Sequence, residues 1–277
     1  MSPVKEPHFF ALEGESVTFV GPRDKEILDH IAVTEIEPYR DLFSGVSNET
    51  AVGEASAVYL YSSKAPKRIR RHLDEVKLIA VLRHPAERAY SSYLHMVRDG
   101  REPLDDFGQA LREEKARTQN NWAPIWHYKR AGFYSGQLAR YFEEFDRQQI
   151  RIYLYEDLKD ASADKLKDIL QFVEVDDTFV PDMSGRYNVA GIPKNRSLHA
   201  VHQFLIKPHP VKSVLKPIVP KNLRRGAIER LVNGIRNQNL VKPPFPTEVR
   251  EQLVEDYRED IQKLEDLIQR DLSGWLR

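Results

Sequence analysis

A chain of 277 residues with 41% hydrophobic side chains is long enough to bury one large α/β core or two small ones. Its 42 basic and 42 acidic residues cancel, which argues against a nucleic-acid or membrane-surface partner recognised through overall charge. The absence of cysteine excludes disulfides and thiolate chemistry and suits a reducing cytosol.

No apolar run approaches the roughly 18–20 residues of a membrane span, and the start, MSPVKEPHFF, lacks a signal-peptide core, so a cytoplasmic protein without a transmembrane segment is expected. In chain order, apolar runs at 17–20 and 58–61 predict buried strands. Residues 78–82, LIAVL, are continuously apolar and end at a charged loop, which predicts a parallel strand covered on both faces. Pro85 follows, where proline favours the first turn of a helix, and that helix should run to about Arg98. Residues 134–145 carry Leu138, Tyr141, Phe142 and Phe145 at helical spacing. A strand at 150–155 and a helix at 164–172 come next. Strands alternating with helices predict an α/β fold with a mostly parallel central sheet.

The last third differs. Residues 201–242 hold nine Lys/Arg against one acid, Glu229, and prolines 208, 210, 217 and 220 break the stretch, which reads as a basic insertion. Residues 247–272 read as a C-terminal amphipathic helix with Val249, Leu253, Tyr257, Ile261, Leu264 and Ile268 on one face and Thr247 as N-cap. The whole of 1–277 is expected to form a single domain.

The chemistry concentrates in residues 77–93, KLIAVLRHPAERAYSSY. Arg83 stands at the carboxyl end of the predicted strand, where open α/β sheets bind ligands, and a helix N-terminus follows at once. A guanidinium fork suits phosphate oxygens, and Ser91 adds a hydroxyl. Taken singly, each residue has another reading: Arg83 paired to a carboxylate, Ser91 on a helix surface.

The full spacing, Arg83-x-Pro85-x-x-Arg88-x-x-Ser91-x-Tyr93 after an apolar strand, resembles the 3′-phosphate motif of sulfotransferases that use 3′-phosphoadenosine 5′-phosphosulfate (PAPS). The resemblance extends along most of the chain. It implies a P-loop-like three-layer fold and sulfuryl transfer to a hydroxyl of a carbohydrate or other small-molecule or lipid-like acceptor, with release of adenosine 3′,5′-bisphosphate and without a metal. It also implies that Arg83 and Ser91 hold the nucleotide 3′-phosphate, with Arg88 and Tyr93 as scaffold. Lys5-Glu6-Pro7-His8-Phe9-Phe10 is similar to the Lys-Glu-x-His-Phe-Phe segment of carbohydrate-type members. This implies Glu6 as the base that takes the acceptor proton, His8 as alternative base or orienter, and Lys5 as neutraliser of charge on the leaving phosphate. The competing reading leaves Lys5 and Glu6 as an exposed pair and His8 as a core residue.

Residues 53–60, GEASAVYL, resemble the family's Gly-Glu-x-Ser-Pro-x-Tyr segment, with Ala57 for proline. Glu54 there either faces the acceptor or serves as a capping or hydrogen-bonding group. KRAGFYSGQL at 129–138 resembles a helix start in which Gly132 and Tyr134 are structural, and Glu156 and Asp157 should fix the loop after the fourth strand. YNVAGIPKNR at 187–196 lies where the family closes a loop over the nucleotide, which implies that Lys194 and Arg196 reach the 3′-phosphate; a solvated basic turn is the alternative. Trp275 should pack the C-terminal helix down. Ala11 and Ala55 replace the acidic residue and the lysine of heparan-type members, so heparan sulfate is not the expected acceptor. Trp122, Trp126, His127 and Tyr128 could line a slot or stack on a sugar, with core packing the commoner fate.

One signature has no match. The family's Gly-x-x-Lys-[Ser/Thr]-Gly-Thr loop and the strand before it, which cradle the 5′-phosphosulfate, are not found, and only Met1–Val4 precede Lys5. The expectation is a domain truncated at its N-terminus, begun at an internal methionine or else a natural remnant that binds a nucleotide or partner without turnover. On either reading these 277 residues alone should be inactive or poorly soluble.

Overall fold

Strand β1 (Leu78–Leu82) forms where the sequence sets an unbroken apolar run rich in β-branched residues against a charged loop. It pairs in parallel with β2 (Ile150–Leu154), in a register that runs from Leu78 opposite Ile150 to Leu82 opposite Leu154. The computed structural model describes residues 1–159, 163–179, 192–193 and 240–277. The chain divides into two compact units: Met1–Tyr93, Leu104–Gly185 and Pro246–Arg277 form the first, and Leu94–Pro103 with Arg186–Phe245 the second.

In the first unit, helices α1 (Phe9–Leu12), α2 (Asp24–Ile31), α3 (Ile36–Asp41), α4 (Val58–Tyr61) and α5 (Ala65–His72) precede β1. The crossover to β2 carries α6 (Pro85–Arg98), α7 (Phe107–Gln119) and α8 (Tyr134–Glu144). Parallel strands require such a long connection. One face of the sheet, with Leu78, Ile150 and Ile152, packs on Phe9, Phe10, Tyr39, Ile69, Tyr141 and Phe145. Phe9 is fully buried and stacks on Tyr39 at 4.3 Å between ring centroids. Burying a side chain of this size stabilises the fold by about 1.5–3 kcal/mol.

The other face is only half covered, which corrects the expectation for β1. Helix α10 (Ala163–Phe172), which follows the short α9 (Tyr155–Lys159), lies over β2. Tyr153 donates to Asp168 Oδ2 at 2.6 Å, and the Arg151 guanidinium sits 4.8 Å from the Phe172 ring centroid. Beside them, Ile79 and Val81 are 41% and 49% exposed. The composition of LIAVL is that of a strand buried on both sides, but only its Leu78–Ala80–Leu82 face meets the core.

Two predicted strands are not strands. Residues 17–20 run without a ladder; Val20 makes one backbone bond, to the Asn121 carbonyl, and Val20 itself is exposed. Residues 58–61 form α4, because a helical turn sends Tyr59 and Tyr61 to different partners, Glu54 and His127. Tertiary partners override the β preference of Val-Tyr-Leu-Tyr.

The C-terminal helix α11 (Thr247–Ile268) buries Leu253, Val254, Tyr257, Ile261 and Leu264 and packs on α8. Thr247 is its first residue rather than its cap; Pro246 holds the N-cap position, and no side chain bonds there. The helix stops at Gln269, in the left-handed region at φ 55°, with its N–H bonded to the Glu265 carbonyl. Trp275 is buried 6.0 Å from the His84 ring, tying the C-terminus to the end of β1.

Within the second unit, β3 (Ile192–Pro193) pairs antiparallel with β4 (Leu240–Val241), Ile192 opposite Val241. Nearly all of the basic stretch 201–242, and both Lys194 and Arg196, lie outside the described residues. No helix among the described residues is long and apolar enough to cross a membrane.

Candidate functional site

The carboxyl end of β1 is where charge gathers. Arg83 leaves the strand and α6 begins two residues later at Pro85. The Tyr134 hydroxyl donates to the Arg83 carbonyl at 3.0 Å, and the Arg83 guanidinium lies 5.2 Å from the Tyr155 ring centroid. Arg83 Nη2 faces Glu87 Oε2 at 3.5 Å, and Arg250 Nε on α11 approaches Glu87 Oε1 at 3.7 Å. Ser91 is half-buried on α6, one turn beyond Glu87 on the same face. Two guanidinium groups thus face one carboxylate at a helix N-terminus, with Ser91 a turn further along the same face. The arrangement can hold a dianion if Glu87 gives way.

His84 adds a buried donor. Its Nδ1 accepts from the Ala86 N–H at 3.2 Å, which leaves the proton on Nε2, and Nε2 has no partner. Burial and the nearby Arg250 hold this imidazole below its ordinary pKa, so it stays neutral.

The rest of the motif is scaffold. Arg88 donates to the Tyr128 carbonyl, and Tyr93 to the Leu104 carbonyl at 3.1 Å. At Gly132 a Cβ would stand 2.7 Å from the Tyr257 hydroxyl, which itself donates to the Lys129 carbonyl, so only glycine fits. Asp157 accepts from the Leu154 N–H and pairs with Arg270 at 2.5 Å; these bonds, that of Arg270 above all, hold its carboxyl below the usual range. Asp157 therefore fixes the turn after β2.

The second cluster lies in the N-terminal segment. Lys5 is exposed, Glu6 and His8 are half-buried, and Pro7 and Phe9 are buried. Glu6 and His8 take left-handed backbone angles, φ 54° and 57°. For residues with a Cβ such angles cost of order 1–3 kcal/mol each, so the turn has to be held by its surroundings. The surroundings are residues 53–59. The His8 N–H donates to Ser56 Oγ at 3.2 Å and the Phe10 N–H to the Tyr59 hydroxyl at 3.3 Å. Both hydroxyls give their protons to Glu54, Ser56 at 3.1 Å and Tyr59 at 2.5 Å, and Tyr39 approaches the same carboxylate at 3.4 Å. Burial pushes the Glu54 carboxyl up, against these hydrogen bonds and with a smaller contribution from the charge of Glu6. Burial lowers His8 to about 4, so its imidazole is neutral at physiological pH.

The aromatic run 122–128 takes the packing role. Trp126 and Tyr128 are fully buried. Trp126 Nε1 donates to Asp24 at 2.8 Å, and the Ala123 N–H donates to the same carboxylate at 2.9 Å. The Arg117 guanidinium lies 5.0 Å from the Trp122 ring and 5.4 Å from Trp126. Asp24 was not among the residues singled out from sequence; its partners lie some hundred residues away, and nothing local marks it as buried. Glu114 is similar: it is buried and accepts from the Lys129 and Arg130 N–H groups at 2.5 and 2.8 Å. Among the described residues no group of three or more His, Asp or Glu side chains is placed to hold a metal ion.

Known proteins resemble this chain in sequence and in fold. The family described as "Sulfotransferase domain" matches residues 32–202. The mouse bifunctional heparan sulfate N-deacetylase/N-sulfotransferase 4 is 31% identical over 148 residues, and the Xenopus laevis N-deacetylase/N-sulfotransferase 1 is 29% identical over 145. Each match takes in 50% of this chain and only 16% of the relative. A crystal structure of a sulfotransferase from Alicyclobacillus acidocaldarius superposes with a TM-score of 0.74 at 29% identity, over 100% of this chain and 87% of that one. With an α/β fold around a parallel strand pair and a family match over more than half its length, the chain belongs to the sulfotransferase family.

Proposed function

We propose that the chemistry of this domain is sulfuryl transfer from PAPS to a hydroxyl of a carbohydrate or other small-molecule or lipid-like acceptor; the 5′-phosphosulfate cradle is not among these 277 residues, so for the chain alone the alternative is nucleotide or partner binding without turnover. The observation that carries the reading is the placement of Arg83 at the carboxyl end of a parallel strand, directly before the α6 N-terminus and facing Glu87, which Arg250 also approaches. Arg83 and Ser91 bind the 3′-phosphate of the donor; Lys194 and Arg196, which the resemblance adds, lie outside the described residues. His84 Nε2, a buried donor without a partner, fits an added acceptor oxygen at this end.

Glu6 takes the proton of the acceptor hydroxyl as its oxygen forms a bond to sulfur. The bond from sulfur to the 5′-phosphate oxygen breaks, and adenosine 3′,5′-bisphosphate leaves. Lys5, exposed and without an ion pair among the described residues, offsets charge on the departing phosphate. His8, neutral and next to the base, orients the acceptor through its ring. Positioning and charge stabilisation supply the acceleration, as in phosphoryl transfer.

The test is calorimetric. Adenosine 3′,5′-bisphosphate should bind, adenosine 5′-phosphate should bind far more weakly, and Arg83→Ala should lose most of the difference. Equal affinity of the two nucleotides would overturn the reading. The curated relatives are named for N-sulfotransfer to heparan sulfate, so an acceptor panel should pair hydroxyl and amino sugars; preference for amines would replace the hydroxyl assignment.

A further inference from the structure

Glu54 has both carboxylate oxygens engaged by hydroxyl protons, from Tyr59 and Tyr39 on one and Ser56 on the other. A hydroxyl that donates to a carboxylate turns its lone pairs the opposite way. Ser56 and Tyr59 turn theirs toward the His8 and Phe10 N–H groups, at 3.2 and 3.3 Å. The His8 N–H lies in the turn in which Glu6 and His8 are left-handed and the Phe10 N–H in the first turn of α1 that follows, where no side chain caps the helix start. Tyr59 has a second anchor: Tyr141 donates to its carbonyl at 2.8 Å, tying α4 to α8. The Gly53 carbonyl accepts from the Ser2 N–H at 3.0 Å and extends the same strap.

We infer that Glu54 is a positioning residue of the transfer site: by fixing the proton directions of Ser56 and Tyr59 it holds the 5–10 turn in the one conformation that presents Glu6 and His8 together. The inference rests on the proposed function. On this reading Glu54 acts through Ser56 and Tyr59 rather than by touching donor or acceptor. A carboxylate is needed because it accepts at both oxygens. An amide in its place accepts at one end only and donates at the other, so one hydroxyl loses the acceptor that fixes its proton and its bond from the backbone N–H is loosened.

Glu54→Gln in the full chain is the test, because it keeps size and removes only this acceptor pattern. By NMR, the His8 or Phe10 amide should exchange about tenfold faster, the equivalent of about 1.4 kcal/mol. The Ala32 amide, bonded to the Leu28 carbonyl in α2, should keep its rate. The His8 ring provides a second readout, read together with the unchanged Ala32 amide, which excludes general loss of stability. Removing a neighbouring negative charge would by itself lower its titration midpoint, whereas release of the turn to water raises it from about 4 toward 6.5. We expect the rise, with bisphosphate affinity unchanged. In an active preparation, kcat should fall about tenfold with the KM for the donor held, as for loss of an oriented base. Unchanged exchange at both amides, or a lower His8 midpoint, would overturn the inference. Failure of the wild-type chain to bind the bisphosphate would overturn the proposed function instead, and the exchange and titration results would still decide the role of Glu54.

Discussion

Glu87 Oε2 stands 3.5 Å from Arg83 Nη2, one helical turn into α6, so the arginine expected to meet a phosphate is already facing a carboxylate. The two readings of Arg83 open at the level of sequence are therefore not exclusive. On the proposed reading the internal anion holds the place a donor phosphate would take, and Arg250 approaches it at 3.7 Å.

Glu87→Gln should accordingly tighten bisphosphate binding. The half-exposed pair itself is worth about 0.2–1 kcal/mol, so the gain should be roughly 1.4- to fivefold at low salt and smaller at high salt. Calorimetry at two ionic strengths checks it. A weaker complex would mean that Glu87 aligns Arg83 rather than competing for it.

Asp24 carries a prediction about stability. It is fully buried, and it satisfies the Trp126 indole N–H and the Ala123 N–H. Asp24→Ala leaves two buried donors unpaired, at a cost of about 2–4 kcal/mol in total. Urea unfolding followed by tryptophan fluorescence measures this. Gly21→Ala should fail in the same assay, since its Cβ would stand 2.3 Å from Asp24 Oδ2.

Two glycines of one region should behave oppositely. Gly132→Ala drives a methyl group to 2.7 Å from the Tyr257 hydroxyl and should destabilise by about 1–3 kcal/mol. Gly136 lies in α8, and a Cβ there meets nothing within 4 Å. Gly136→Ala should stabilise by about 0.5–1 kcal/mol through helix propensity and the unfolded chain. Paired thermal melts decide both.

Acid should weaken the fold before its carboxylates titrate. Burial lowers His8 and His127 to about 4, from 6.5 in the unfolded chain. A group depressed in the folded state contributes stability above its unfolded value and loses it as pH falls, so both histidines subtract between pH 6.5 and 4. The slope is about 1.4 kcal/mol per pH unit for each proton taken up. Glu54, raised by burial, runs the other way and blunts the fall. Glu13 and Asp157, both lowered, add their loss further into acid. Urea midpoints from pH 7.5 to 4 should drop, and His127→Gln should flatten the drop. A midpoint independent of pH over this range would contradict the burial of both rings.

What could be read from the sequence was local. The β1–Arg83–Pro85–α6 element is contiguous: an apolar run, a charge, then a proline, each with a short-range consequence. The helices at 134–144, 163–172 and 247–268 follow from periodicity in the same way. Residues 58–61 were misread because their conformation is set by Glu54, His127 and Tyr141, none of which the alternating pattern announces. Glu54 itself was visible as a residue but not as a hub, since its value lies in bonds that reach residues 8 and 10 through two intermediaries. Asp24 and Glu114 left no local trace, because a buried carboxylate and an exposed one are spelled alike.

The open half of the β1 face has a practical side. Ile79 and Val81 present two β-branched side chains to solvent on one strand, and among the described residues β1 pairs with β2 alone. A bare strand of this kind offers a template to any extended chain nearby. Storage behaviour should therefore depend on concentration more than on temperature, with turbidity appearing in crowded samples whose fold is intact. A single lysine at position 81 should lengthen the clear period without shifting the melting point.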